Sequence, residues 1–98
     1  EIRTAMPKGA KRRVVRVSGQ VQGVFFRHTA RLHAEKLGLT GWARNEDDGA
    51  LCVVAEGEAS ALEKFLEWCR TGPPLARVDH VQITWERATG EFRRFEIL

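Results

Sequence analysis

The chain has little cysteine: Cys52 and Cys69 are its only two, and neither stands in a Cys-x-x-Cys or other metal-ligand spacing. Each falls where an apolar residue would also fit, Cys52 after the turn Asp48-Gly49 and Cys69 on a helical stripe, so both are expected as plain buried thiols in a reducing cytoplasm. Cysteine-phosphatase chemistry is excluded as well, because its Cys-x5-Arg spacing is not met: six positions beyond the two cysteines stand Glu58 and Leu75. No apolar run reaches 15 residues, which leaves no signal peptide and no transmembrane helix in the sequence. Methionine is nearly missing too. Met6, the single one, precedes Pro7 and is expected to be the natural start, with residues 1–5 left over from recombinant expression.

What is present fits one soluble globular domain. At 98 residues, 43% hydrophobic and 30% charged, the chain can bury one core and little else. Its net charge of +3 is unevenly placed: residues 1–16 carry six Lys/Arg against one acid, and the rest carries ten against twelve. The basicity belongs to the N-terminus, so residues 1–12 are expected to be a flexible basic tail and residues 13–98 the domain. A body with a slight acidic excess argues against a broad nucleic-acid-binding face.

Along the body, Val14, Val15 and Val17 predict a strand over roughly 13–18. From Phe26, Ala30, Ala34 and Leu37 recur at helical spacing until Gly38. Residues 40–45 and 51–56 flank Glu46-Asp47-Asp48-Gly49 as a hairpin. Leu62, Phe65, Leu66 and Cys69 form the apolar face of a second helix over 59–70, whose start carries a capping-box spacing at Ser60 and Glu63 and whose end is set by Gly72-Pro73-Pro74. Val78, Val81, Ile83 and Trp85 predict a further strand, and Phe92, Phe95 and Ile97 a short last one. Trp42, Trp68 and Trp85 are expected in or near the core. The order β-α-β-β-α-β is the α+β, ferredoxin-like split βαβ sandwich, with an antiparallel sheet and two helices on one face.

The stretch GQVQGVFFR, Gly19 to Arg27, joins the first strand to the first helix and contains neither acid nor base of the usual catalytic kind. A glycine-containing turn there presents consecutive backbone N–H groups at the positive end of the helix dipole, a place where anions bind. Gly19 and Gly23 let the backbone approach an oxyanion closely, Val21 and Val24 point into the core, and the Arg27 fork pairs with two phosphate oxygens. Nucleotide motifs do not fit. The Gly-x-x-x-x-Gly-Lys-Ser/Thr loop lacks its lysine and hydroxyl, and the dinucleotide fingerprint lacks its third glycine.

From Val17 to Arg27 the sequence resembles the first signature of the acylphosphatases, and Gly41-Trp42-Ala43-Arg44-Asn45 with Gly49, Leu51 and Gly57 is similar to the second. Leu51 stands where valine is usual and, on a core-facing strand, raises a question of packing. Gly72-Pro73-Pro74 and Ala76-Arg77-Val78 are similar to the family's later segment. The resemblance, over residues 13–98, implies hydrolysis of acyl phosphates to a carboxylate and phosphate. It implies that Gly19, Gln20, Val21, Gln22, Gly23, Val24 and Arg27 form the phosphate-binding loop, with Arg27 and backbone N–H groups on the phosphate and Asn45 positioning the attacking water. It implies no metal and no cofactor, with a small-molecule acyl phosphate as substrate; a cytoplasmic monomer without nucleic-acid or membrane partners is expected. The chemistry agrees: a carboxylate whose conjugate acid has a pKa of about 4 leaves without a proton donor.

Other readings fit less well. Arg27-His28-Thr29 resembles the Arg-His-Gly of histidine phosphatases but lacks the glycine. His28 and His33 lie about 140° apart around a helix and do not converge on a metal. A nucleic-acid-binding module of the same fold needs aromatic residues in a glycine-spaced motif on its strands, which is not found. An acylphosphatase-like domain also opens the large hydrogenase-maturation carbamoyltransferases, which continue into zinc-binding and catalytic domains; a genuine gene end soon after Leu98 would favour the stand-alone enzyme.

Overall fold

The computed structural model describes residues 9–98. Of the basic tail expected over residues 1–12, residues 1–8 lie outside the described part, and Lys11 and Arg12 already belong to the first strand. The elements are β1 (Lys11–Gln20), α1 (Phe26–Lys36), β2 (Thr40–Asn45), β3 (Leu51–Gly57), α2 (Ala59–Thr71), β4 (Arg77–Arg87) and β5 (Phe95–Ile97). Their order in the sheet is β4-β1-β3-β2-β5. This is the ferredoxin-like α+β arrangement with one strand added.

That added strand makes the sheet mixed, where an antiparallel sheet was expected. β5 runs parallel to β2, with Gly41 opposite Phe95 and Ala43 opposite Ile97. After β4 the chain crosses from one sheet edge to the other, so β5 enters alongside β2 in the same direction. Phe92 lies on this crossing and not in the strand, with the Arg12 guanidinium 5.4 Å from its ring centroid. Glu56, fully buried on β3, ties the crossing down: its carboxylate accepts from the N–H of Thr89 and of Gly90, from the Thr89 hydroxyl and from Arg12.

Alternation along the strands sends Val15, Val17, Val53, Ala55 and Leu51 to the face that the helices cover. Leu51 is fully buried, so the core accommodates it in place of the smaller valine. On α1, Phe26, Ala30 and Ala34 recur every four residues, and the two alanines let the helix approach the sheet closely. Leu39 N–H bonds Ala34 O and Gly38 N–H bonds Glu35 O, which closes α1 with glycine in the left-handed position. On α2 the buried residues are Leu62, Phe65, Leu66 and Cys69. Each fully buried Phe or Leu contributes roughly 1.5–3 kcal/mol of transfer free energy.

Three local expectations are corrected. The capping box does not form: Glu58 occupies the N-cap and its carbonyl accepts from Leu62 N–H, which places Ser60 already inside the helix. Trp85 is not a core residue. It is 71% exposed on the edge strand β4, where the Arg13 guanidinium covers its ring at 3.9 Å. Trp68 meets the expectation, half-buried between an edge contact to Phe26 at 5.2 Å and a stacked His33 at 4.4 Å. Cys69 is buried and Cys52 only half-buried, because Cys52 faces the side of the sheet without helices. Among the described residues no helix is long and apolar enough to cross a membrane.

Candidate active site

The polypeptide leaves β1 after Gln20 and enters α1 at Phe26, and the intervening turn is shaped by its own sequence. Val21 and Val24 are buried as expected and anchor the turn from beneath. Between them Gly23 has φ 75°, with open space where a side chain would start. Phe25 closes the turn at φ 64° and ψ 22°, a left-handed conformation that costs a non-glycine residue on the order of 1–3 kcal/mol. Thr29 holds it there, donating both its backbone N–H (3.0 Å) and its hydroxyl (2.8 Å) to Phe25 O.

Packing alone requires glycine at position 19. Gly19 sits at an irregularity of the β1–β4 pairing, and a Cβ there would lie 2.2 Å from Arg77 O. The close neighbour of that position is the backbone of strand β4. Gly19 and Gln20 remain paired with Val78 and Arg77 and do not line the pocket described next.

A cavity of about 300 Å³ opens above the turn. Val21, Gly23 and Phe25 supply one wall, and Phe26, Arg27 and His28, the first turn of α1, supply another. First-turn N–H groups have no intrahelical partner, so this wall carries the positive end of the helix dipole. Asn45 and Ile97 close the far side. The lining contains no carboxylate.

Arg27 is held at its tip. Its Nη1 donates to the backbone oxygen of Leu98 at 2.8 Å, and Leu98 is in turn fixed by its N–H to Ala43 O at 2.9 Å. The guanidinium keeps its other N–H donors without a protein partner among the described residues. Asn45 is the last residue of β2, and its Oδ1 is buried with no protein hydrogen-bond partner. A buried acceptor in that state is the exception in folded proteins and points to a function or an external donor. β3 stands between β1 and β2, so Asn45 reaches the pocket from the second strand over from β1.

Gln22 and Val24 belong to the turn without lining the cavity. The Gln22 amide turns to the β2–β3 hairpin and donates to Glu46 O at 2.8 Å and to Ala50 O at 2.9 Å. Within the hairpin, the Ala50 N–H and the Arg16 guanidinium hold the Asp48 carboxyl below its ordinary range. The structure thus brings Val21, Gly23, Arg27 and Asn45 together. It adds Phe25, Phe26, His28 and Ile97, which sequence reasoning did not place there. The first three adjoin Arg27 in sequence, a usable signal; Ile97 carried none, since only the parallel pairing of β5 with β2 brings it near.

The family model described as Acylphosphatase matches residues 13–97. The chain is 50% identical over 82 residues to an acylphosphatase of Roseiflexus sp. (strain RS-1), covering 84% of this chain and 88% of that one. It is 52% identical over 87 residues to an acylphosphatase of Rubrobacter xylanophilus, covering 89% and 79%. The solved structure of an acylphosphatase from Coxiella burnetii superimposes with a TM-score of 0.86 at 40% identity, covering 93% of this chain and 95% of that one. A continuous match over nearly the whole domain, on a fold whose strand-to-helix turn forms a carboxylate-free pocket with an arginine, places the chain in the acylphosphatase family, the hydrolases of acyl phosphates.

Proposed function

We propose that the chain hydrolyses acyl phosphates by in-line attack of a water positioned by Asn45 on a phosphoryl group held by Arg27 and the backbone N–H groups of the turn from Val21 to Phe26. One observation carries this reading: an arginine with spare N–H donors and an asparagine with an unpaired buried oxygen meet in a single pocket that contains no carboxylate.

Each role follows from the charge that develops. Phosphoryl transfer passes through a transition state with charge spread over the equatorial oxygens, so positioning and electrostatic stabilisation supply most of the catalysis. The first turn of α1, the turn N–H groups and the planar Arg27 fork form a preorganised set of donors for those oxygens. Asn45 Oδ1 accepts one hydrogen of the water, and its amide group donates to an oxygen nearby, which orients the nucleophile without removing its proton. The proton passes to a phosphate oxygen of the substrate. Departure of a carboxylate, whose conjugate acid has a pKa of about 4, needs neither a general acid nor a metal. The same reading has a cytoplasmic monomer acting on a small molecule, and a phosphate-centred site that tolerates varied acyl groups.

The test is phosphate release from a small aromatic acyl phosphate, with chelator present, by the wild type, Arg27→Ala and Asn45→Ala. Strong wild-type hydrolysis that both substitutions remove supports the assignment. Full activity in either folded variant, or complete loss on chelation, overturns the corresponding part of it.

A further inference from the structure

Gln22 sits in the middle of the turn that forms the pocket, yet its carboxamide points away from the cavity. Its Nε2 donates to two carbonyls at once, Glu46 O and Ala50 O. Only the NH2 end of a carboxamide can donate, so two carbonyl partners fix which way the group is turned. The two carbonyls bracket the hairpin that begins immediately after Asn45. Each already accepts a backbone bond, Ala50 O from Glu46 N–H at 2.8 Å and Glu46 O from Gly49 N–H at 3.1 Å. The hairpin therefore closes without Gln22, and what the glutamine adds is a tie between the turn and the hairpin.

That tie joins parts the sheet connects only indirectly. The turn extends β1, Asn45 ends β2, and β3 lies between those strands. Resting on the roles given above to Arg27 and Asn45, we propose that Gln22 is a positioning residue: by spanning from the phosphate-holding turn to the carbonyl next to Asn45, it sets the distance between phosphorus and the water Asn45 holds. The phosphate site itself consists of backbone N–H groups and Arg27, which the Gln22 side chain does not touch. Loss of the tie lets the hairpin drift and spoils alignment for attack, while leaving the anion site in place.

The experiment measures turnover of a small aromatic acyl phosphate and competitive inhibition by inorganic phosphate for the wild type, Gln22→Met, Asn45→Ala and the double variant. Methionine keeps the length of glutamine and removes both donors. We expect Gln22→Met to lower kcat roughly ten- to a hundredfold, with the phosphate inhibition constant changed by less than about threefold. In the Asn45→Ala background the same substitution adds little further loss, because both act on one water. Wild-type kcat in Gln22→Met, or phosphate inhibition lost in step with kcat, overturns the proposal. Fully additive losses on a strongly slowed Asn45→Ala overturn it too and leave the role of Asn45 standing. Wild-type turnover in Asn45→Ala instead overturns that role, and the proposal with it. A measurement on the wild type needs no variant to fold: the Gln22 side-chain amide protons exchange slowly with solvent, and exchange at the rate of a free surface carboxamide contradicts the tie.

Discussion

Arg27 and Leu98 are 71 positions apart in sequence and joined by a 2.8 Å hydrogen bond from the guanidinium to the Leu98 backbone oxygen. Leu98 is itself pinned to Ala43 of β2, so the arginine of α1 is steadied by the strand that carries Asn45. One end of the guanidinium is spoken for and the remainder is directed by that anchor.

Arg27→Ala is expected to lower kcat/KM by roughly 3 kcal/mol or more of transition-state stabilisation, the scale of losing a preorganised donor to a developing anion. Arg27→Lys is expected to recover only part, since an ammonium can replace the charge but not the planar fork that bonds Leu98 and leaves further N–H donors for the proposed phosphate. Steady-state kinetics of the two variants checks both statements.

His28 lines the pocket but has no assigned part in the chemistry, because the substrate is proposed to take the proton. His28→Asn should therefore keep its turnover within about threefold of wild type. A loss of several orders of magnitude would identify an imidazole base and contradict proton transfer to phosphate.

The two glycines of the motif should fail differently. Gly19→Ala drives a Cβ into the backbone of β4 and is expected to destabilise the fold by about 2–4 kcal/mol, read from denaturant unfolding. Gly23→Ala meets open space and carries only the cost of a left-handed backbone, about 1–2 kcal/mol, but it bears on the pocket wall. Its larger effect should be on inhibition by inorganic phosphate.

Glu56 makes stability depend on acid. Burial by itself raises its carboxyl, but the N–H groups of Thr89 and Gly90, with Arg12 and the Thr89 hydroxyl, outweigh that and hold it below its ordinary value of 4.5. A depressed folded value means the contribution is complete above the unfolded one and is lost as pH falls from there through the folded one. Glu56→Gln should cost about 2 kcal/mol at neutral pH and flatten the loss of stability on acidification. Unfolding curves for both proteins between neutral and acidic pH test this.

The cysteines should separate by reactivity. Burial pushes the Cys69 thiol up to about 12, whereas Cys52 is half-buried on the uncovered face of the sheet. A thiol reagent is expected to modify Cys52 in the native protein and Cys69 only after unfolding, as peptide mass mapping would show.

Much of this was legible in the sequence because it is local or periodic. Alternation along β1, the alanine stripe of α1, the apolar face of α2 and the Asp-Gly hairpin each arise from short-range rules. Arg27 and Asn45 were legible as well, through the motifs around them. Trp85 was misjudged because alternation says which face a residue takes and not whether a helix covers that end of the face. The packing demand at Gly19 was not legible because a lone sequence shows a glycine but not the strand that crowds it.

By itself, then, the sequence determined the element order, the core stripes and the residue types at the pocket, since these depend on contacts within a turn or two of chain. Tertiary structure alone decided which distant parts meet. The parallel docking of β5 beside β2 brings Ile97 and Leu98 to Arg27, and the packing of the β1–α1 turn against the β2–β3 hairpin brings Gln22 to the carbonyls of Glu46 and Ala50. Such contacts depend on where the chain crosses the sheet, a property of the closed core as a whole that no local spacing encodes.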